Sequence, residues 1–134
     1  MPEVRTEGSR AAAFILSEAN GHRSRENGTV AQGENLAAGQ AVMLSGANLV
    51  AQDGALDTAG DLVTPTVGLL IYNVDASATG LDADTAASFL ARDAEVNGNL
   101  LTFPTETTAG GERAAVVAGL ALLGIEVRDE LPTV

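Results

Sequence analysis

The chain has no cysteine, no lysine and no tryptophan, and each absence closes a class of chemistry. Without cysteine there is no disulfide framework, no thiolate metal site and no cysteine nucleophile. Without lysine there is no phosphate-cradling P-loop, no Schiff base for a pyridoxal cofactor, and no side chain to carry biotin or lipoate. Tyr72, Phe14, Phe89 and Phe103 are the only aromatic residues, too few for the stacking platform that single-stranded nucleic acids require. All 7 basic residues are arginines and they face 18 acidic ones, so the net charge of -11 repels phosphate backbones and argues against direct nucleic-acid binding. Long apolar runs are missing too. No stretch approaches the roughly 18 to 20 residues that span a bilayer, which predicts no membrane partner. Ala11 to Leu16 is shorter than the apolar part of a secretory leader and is ended by Glu18, so the expectation is a soluble, unprocessed chain.

What is present suits one small domain. A chain of 134 residues can bury about two-thirds of its unfolded surface. Its apolar residues, 46 % of the total, are mostly Ala, Val and Leu, which predicts a core packed from small side chains. Charge is uneven along the sequence. Residues 1 to 25 hold Arg5, Arg10, Arg23 and Arg25 against Glu3, Glu7 and Glu18, leaving +1 there and -12 on the rest. A near-neutral arm on a strongly acidic body suggests two surfaces with different roles.

The patterning predicts a mostly β domain with one C-terminal helix and a flexible N-terminal arm. Residues 1 to 13 sustain neither period 2 nor period 3.6. Phe14, Ile15 and Leu16 are followed by the turn signal Asn20-Gly21 and by a polar run to Asn27-Gly28. The arm is therefore placed at 1–28 and the β-rich body at 29–134. From Leu36 onward short apolar runs alternate with Gly, Asn and Asp at hairpin spacing: Ala41 to Ser45, a turn at Gly46-Ala47-Asn48, then Leu49 to Ala51. Val67 to Val74 reads as a central strand buried on both faces, Ala87 to Arg92 as a half-buried strand, and Leu100 to Phe103 as a short one. The helix is predicted over 112–123, with Val116, Val117, Leu120 and Leu123 on one face and Gly124 as its cap. Ile125 to Arg128 alternates as a last strand.

No constellation makes a convincing active site. The sole histidine, His22, lies in the polar run and lacks the neighbours of a Ser-His-Asp arrangement. The carboxylate pairs Asp82/Asp84 and Asp93/Glu95 have the i, i+2 spacing that puts both members on one face of a strand, whereas acid–base work needs two different environments. Asp53, Asp57 and Asp61 do not follow the calcium-loop pattern, and Gly28, Gly33 and Gly39 do not make a dinucleotide fingerprint. No metal or cofactor is expected. An arm tipped by Phe14, Ile15 and Leu16 can add a strand to a partner's sheet edge and fill its pockets, or can fold back as an edge strand of its own domain.

Four segments carry a resemblance. Phe14-Ile-Leu-Ser-Glu-Ala-Asn-Gly-His-Arg-Ser-Arg-Glu-Asn27, Val67-Gly-Leu-Leu-Ile-Tyr-Asn-Val-Asp-Ala-Ser77, Arg92-Asp-Ala-Glu-Val-Asn97 and Leu122-Leu-Gly-Ile-Glu-Val-Arg128 resemble, in order and spacing, the bacterial-prophage branch of the lambda head decoration protein family. Leu49 to Gly54 followed by Val67 to Leu70 is similar to the more distant lambda branch. The resemblance implies a β-clip-like fold and a homotrimer seated on the major capsid protein at the outer surface of an expanded phage shell. It implies reinforcement of that virion against packaged DNA, no catalysis, and synthesis in the bacterial host cytoplasm. It further implies capsid contact by Phe14, Ile15, Leu16 and Ser17, with Arg23 and Arg25 as polar anchors. Removing residues 1–27 should then leave a folded body that no longer binds shells. The alternatives are a small acidic hydrolase using Asp93 and Glu95, and a binding module for a partner other than a capsid.

Overall fold

The computed structural model describes residues 11–107 and 110–128. The sequence expectations for 1–10 and 129–134 lie outside the described residues. The rest is mostly β with a single helix near its C-terminal end, as the patterning predicts.

Ten strands build it. Five close a barrel: β2 (Arg25–Val30), β4 (Ala41–Ser45), β5 (Asn48–Ala51), β6 (Thr66–Leu70) and β8 (Thr85–Leu90), in the order β2-β5-β4-β6-β8. The β4–β5 hairpin falls at the predicted place. Ser45 pairs with Asn48 across the two-residue turn Gly46-Ala47, where Gly46 takes φ +63, a left-handed conformation that suits the twist of a tight hairpin. Gly68 marks the closest approach in the barrel wall, because a Cβ there would sit 2.2 Å from the Leu90 carbonyl oxygen.

The central strand is shorter than predicted. β6 ends at Leu70, the backbone bends at Ile71 and Tyr72, and β7 (Val74–Asp75) pairs instead with β3 (Asn35–Leu36). Its two-faced burial is nevertheless real. Leu69 and Ile71 join a core with Phe14, Leu90, Val96, Val116, Leu120 and Ile125, while Leu70 joins Val30, Val42, Leu49 and Phe89 inside the barrel. Leu100 to Phe103 is not a strand. Asn97 Oδ1 accepts from Asn99 N at 3.0 Å and turns Gly98–Leu100 into a short 3-10 helix, leaving a single bridge between Thr102 and Gln40.

The remaining sheet is β1 (Ile15–Glu18), β9 (Ala94–Asn97) and β10 (Ile125–Arg128), with β9 in the centre. β9 and β10 run parallel, so a crossover must join them, and α1 (Glu112–Leu122) supplies it. The helix buries Val116 and Leu120 against this sheet and β6. Glycine at its N-cap offers no side chain, and Glu106 takes over that role by accepting from Arg113 N at 2.9 Å.

The boundary expected at residue 28 falls inside β2. Of the arm, the described stretch 11–28 is woven into the body: Ile15 pairs with Val96, and Arg25 to Val30 pair residue by residue with Leu90 to Thr85. Phe14 is 1 % exposed in the core. Deleting 1–27 would remove β1 from its sheet and the first half of β2 from the barrel wall, a loss of pairing that weighs against the expectation that the truncated body stays folded.

Candidate functional site

The segment singled out in the sequence forms one continuous surface, made of β1, the turn after it and the first residues of β2. β1 is an edge strand, paired with β9 on one side only among the described residues. Its pairing slips between Ile15 and Ser17, an irregularity of the kind that gathers at sheet edges. Phe14 faces inward and Ile15 is half-buried, whereas Leu16 is 44 % exposed and Ser17 is exposed. The six predicted contact residues therefore divide. Leu16, Ser17 and Arg23 present themselves to solvent, Phe14 anchors the segment to its own core, and Ile15 and Arg25 lie between.

The turn from β1 to β2 is held by a residue the sequence reading passed over. Ser24 is fully buried; its Oγ accepts from Ala19 N and donates to the Asp93 carbonyl oxygen, both at 2.9 Å. Its own carbonyl oxygen accepts from Ala91 N at 2.7 Å. A serine in a polar run carries no periodic sign of burial, so only the fold could single it out.

Ion pairs lace the same face. Arg25 forks onto Glu18 at 2.7 and 2.9 Å, bidentate geometry that fixes both side chains. This hydrogen bond holds the Glu18 carboxyl below the usual carboxylate range and raises Arg25 further. Arg23 reaches Asp93 Oδ2 at 3.3 and 3.4 Å, a looser and more exposed contact. Arg92 donates to Glu26 and to the Arg23 carbonyl oxygen, and Arg128 donates to Glu95 Oε1 at 2.7 Å. Asp93 takes φ +49 at the β8–β9 corner, which carries its carboxylate out to Arg23.

These partners bear on the hydrolase reading. Arg128 beside Glu95, with a hydrogen bond from Ser17, lowers the Glu95 carboxyl. A general acid at neutral pH needs the opposite shift. Asp93 and Glu95 are each tied to an arginine, and the pair lacks the contrast of environments that divides acid from base. His22 borders a polar depression with Arg25, Glu26, Asn27 and Ser88, but Ser88 donates its hydroxyl to Asn27 Oδ1 at 3.0 Å. Asp57 Oδ1 caps its own loop by accepting from Ala59 and Asp61 N–H groups. Among the described residues no three His, Asp or Glu side chains gather as metal ligands.

One apolar surface lies elsewhere. A groove of about 580 Å³ runs between α1 and the segment before β6, lined by Leu62, Pro65, Ala115, Gly119 and Leu122. Leu122 is 90 % exposed, and next to Leu62 in sequence stands the exposed Val63.

A family model for the bacteriophage lambda head decoration protein D matches residues 4–125, and the search of curated proteins returned no match.

Proposed function

Because the chain belongs to the bacteriophage lambda head decoration protein D family, a structural family of the phage capsid exterior, we propose that it binds an expanded phage shell as a homotrimer and reinforces it against packaged DNA. The partner in this reading is the major capsid protein, and the contact runs over residues 14–27. The observation that carries it is the edge of β1 left unpaired among the described residues. An edge strand offers unpaired N–H and C=O groups to an incoming strand, and Leu16 and Ser17 stand beside that edge. Each added backbone hydrogen bond contributes roughly 0.5 to 1.5 kcal/mol net. One four-residue edge therefore binds weakly, and three edges on one trimer supply the rest through avidity.

Within this reading the six residues take different tasks. Leu16 and Ser17 touch the partner strand, and Arg23, loosely paired, can exchange Asp93 for a capsid carboxylate. Phe14 and Arg25 hold the edge in place from behind, and Ile15 belongs to both groups. The apolar groove along α1 supports self-association, since an exposed leucine beside a hollow favours burial against another copy.

Electron microscopy of expanded shells with and without the protein tests the proposal. Added density on the outer surface at three-fold positions, lost with Leu16→Asp, is the expected result. Shells that gain no density at saturating protein overturn it.

A further inference from the structure

Three Asn-Gly pairs stand in the sequence, and the fold treats them differently. Asn-Gly is the dipeptide in which the following backbone nitrogen meets least steric hindrance, because glycine has no Cβ. Asn27-Gly28 lies within the β2–β8 pairing, and Asn27 Oδ1 is engaged by Ser88 Oγ at 3.0 Å. Asn97-Gly98 opens the 3-10 helix, with Asn97 Oδ1 engaged by Asn99 N and Gly98 buried. Asn20-Gly21 differs on every count. Neither residue is buried in the turn between β1 and β2. Among the described residues neither the Asn20 side chain nor the Gly21 N–H has a hydrogen-bond partner. Gly21 takes φ +69, and a Cβ built on it would meet nothing within 4 Å.

We infer that Asn20 is a site of spontaneous deamidation, a modification centre built into the β1–β2 turn. In the first step the Gly21 backbone nitrogen loses its proton and bonds to Asn20 Cγ, the Cγ–Nδ2 bond of the amide breaks, and Nδ2 leaves as ammonia with that proton. The product is a five-membered succinimide. Water then adds to one of its two carbonyls and opens the ring, giving aspartate or isoaspartate at position 20. No oxidant, metal or enzyme takes part. The strand at Asn27 and the cap at Asn97 hold their backbones away from this ring closure, and the open turn does not.

The consequence follows from position. A new carboxylate appears three residues before Arg23, the loosest cation of the face, and isoaspartate adds a backbone carbon to the turn that Ser24 holds. The effect on shell binding rests on the capsid reading; the modification itself does not.

Trypsin separates the three pairs, because cleavage at Arg10, Arg23, Arg25, Arg92 and Arg113 places Asn20, Asn27 and Asn97 in different peptides. The full-length protein is incubated at mildly alkaline pH and about 37 °C, digested, and each peptide is followed by mass. Deamidation raises the mass by about 1 Da, and the peptide holding Asn20 should gain it at least about tenfold faster than the other two, a rate difference of about 1.4 kcal/mol in barrier. Equal rates in all three, or a faster rate at Asn27 or Asn97, overturn the inference. Asn20→Gln should abolish the fast phase; a fast phase that persists in that variant also overturns it. Cosedimentation with expanded shells then compares aged wild type with aged Asn20→Gln. Retained binding only in the variant supports the link to decoration, and equal binding overturns that link. If fresh wild type does not bind at all, the capsid reading fails while the mass result stands.

Discussion

Phe14 and Leu16 show how two residues of one apolar run come to have opposite duties. Both read as anchors in sequence, since Phe14-Ile15-Leu16 has no polar residue to break its symmetry. A bulge and a sheet edge separate them: Phe14 is 1 % exposed among Leu69, Val116 and Ile125, and Leu16 points out at 44 %. Phe14→Ala should cost about 3 to 5 kcal/mol, the range for emptying a core aromatic site. Leu16→Ser should change stability by no more than about 0.5 kcal/mol, as exposed substitutions do, while weakening attachment to shells. Urea denaturation beside shell cosedimentation measures both. A Phe14 variant of unchanged stability, or a Leu16 variant that unfolds early, would contradict this assignment. The residues missed in sequence were Ser24, Arg92 and Arg128, whose partners Asp93, Glu26 and Glu95 are distant in sequence. The i, i+2 carboxylates Asp93 and Glu95 and the arginine Arg23 were visible in sequence, but the pairings of Arg23 with Asp93 and of Arg128 with Glu95 were not.

At the scale of elements, what could be read was what is local. The β4–β5 hairpin, β10 and α1 each carry their own signals, and α1 ends one residue before the predicted limit. β1, β2 and β9 carry weak local patterns and exist through their pairing. Removal of residues 1–27 takes away β1 and the first half of β2, so β9 loses a neighbour and β8 half of its pairing with β2. The truncated protein should show no cooperative thermal transition by circular dichroism; a sharp transition near that of the full-length protein would refute this. The start of α1 predicts a pH dependence. The Thr107 hydroxyl, donating to Glu112 Oε1 at 2.6 Å, leads a set of hydrogen bonds, with the Glu106 side chain second, that lowers the Glu112 carboxyl to about 2. Its unfolded value is 4.5, so the folded state gains stability above that pH and loses it as pH falls toward about 2. Glu18 and Glu95 act in the same direction through Arg25 and Arg128. Thermal midpoints should therefore decline on acidification below about pH 4.5, and Thr107→Val should flatten that decline. A midpoint indifferent to pH across this window would count against the arrangement.

At the scale of the molecule, two surfaces stand apart: the arginine-laced β1 edge and the apolar groove beside α1. The proposed trimer should draw on the second. Sedimentation velocity over a wide concentration range is expected to show trimer, and Leu122→Asp should shift the protein to monomer without loss of fold. A wild-type monomer at every concentration, both free and on shells, would remove the trimer from the reading. Such a variant also separates assembly from contact, since a monomer that keeps an intact β1 edge should bind shells more weakly but at the same sites.

The sequence by itself determined the class of the molecule and the chemistry closed to it. Missing cysteine and lysine, a charge of -11, hairpin spacing from Leu36 onward and one periodic stretch over α1 are local or compositional facts, and they need no partner to be read. Only the tertiary structure decided what residues 14–28 are. Their hydrogen bonds go to β8 and β9, and Ser24 meets Asp93 across 69 residues of sequence. Within its own window the segment is a short apolar tip followed by a polar run, and it reads as an arm. Closing so long a loop costs entropy that short-range propensity cannot offset, so its order comes from the core that Phe14 enters and from the strands already waiting beside it.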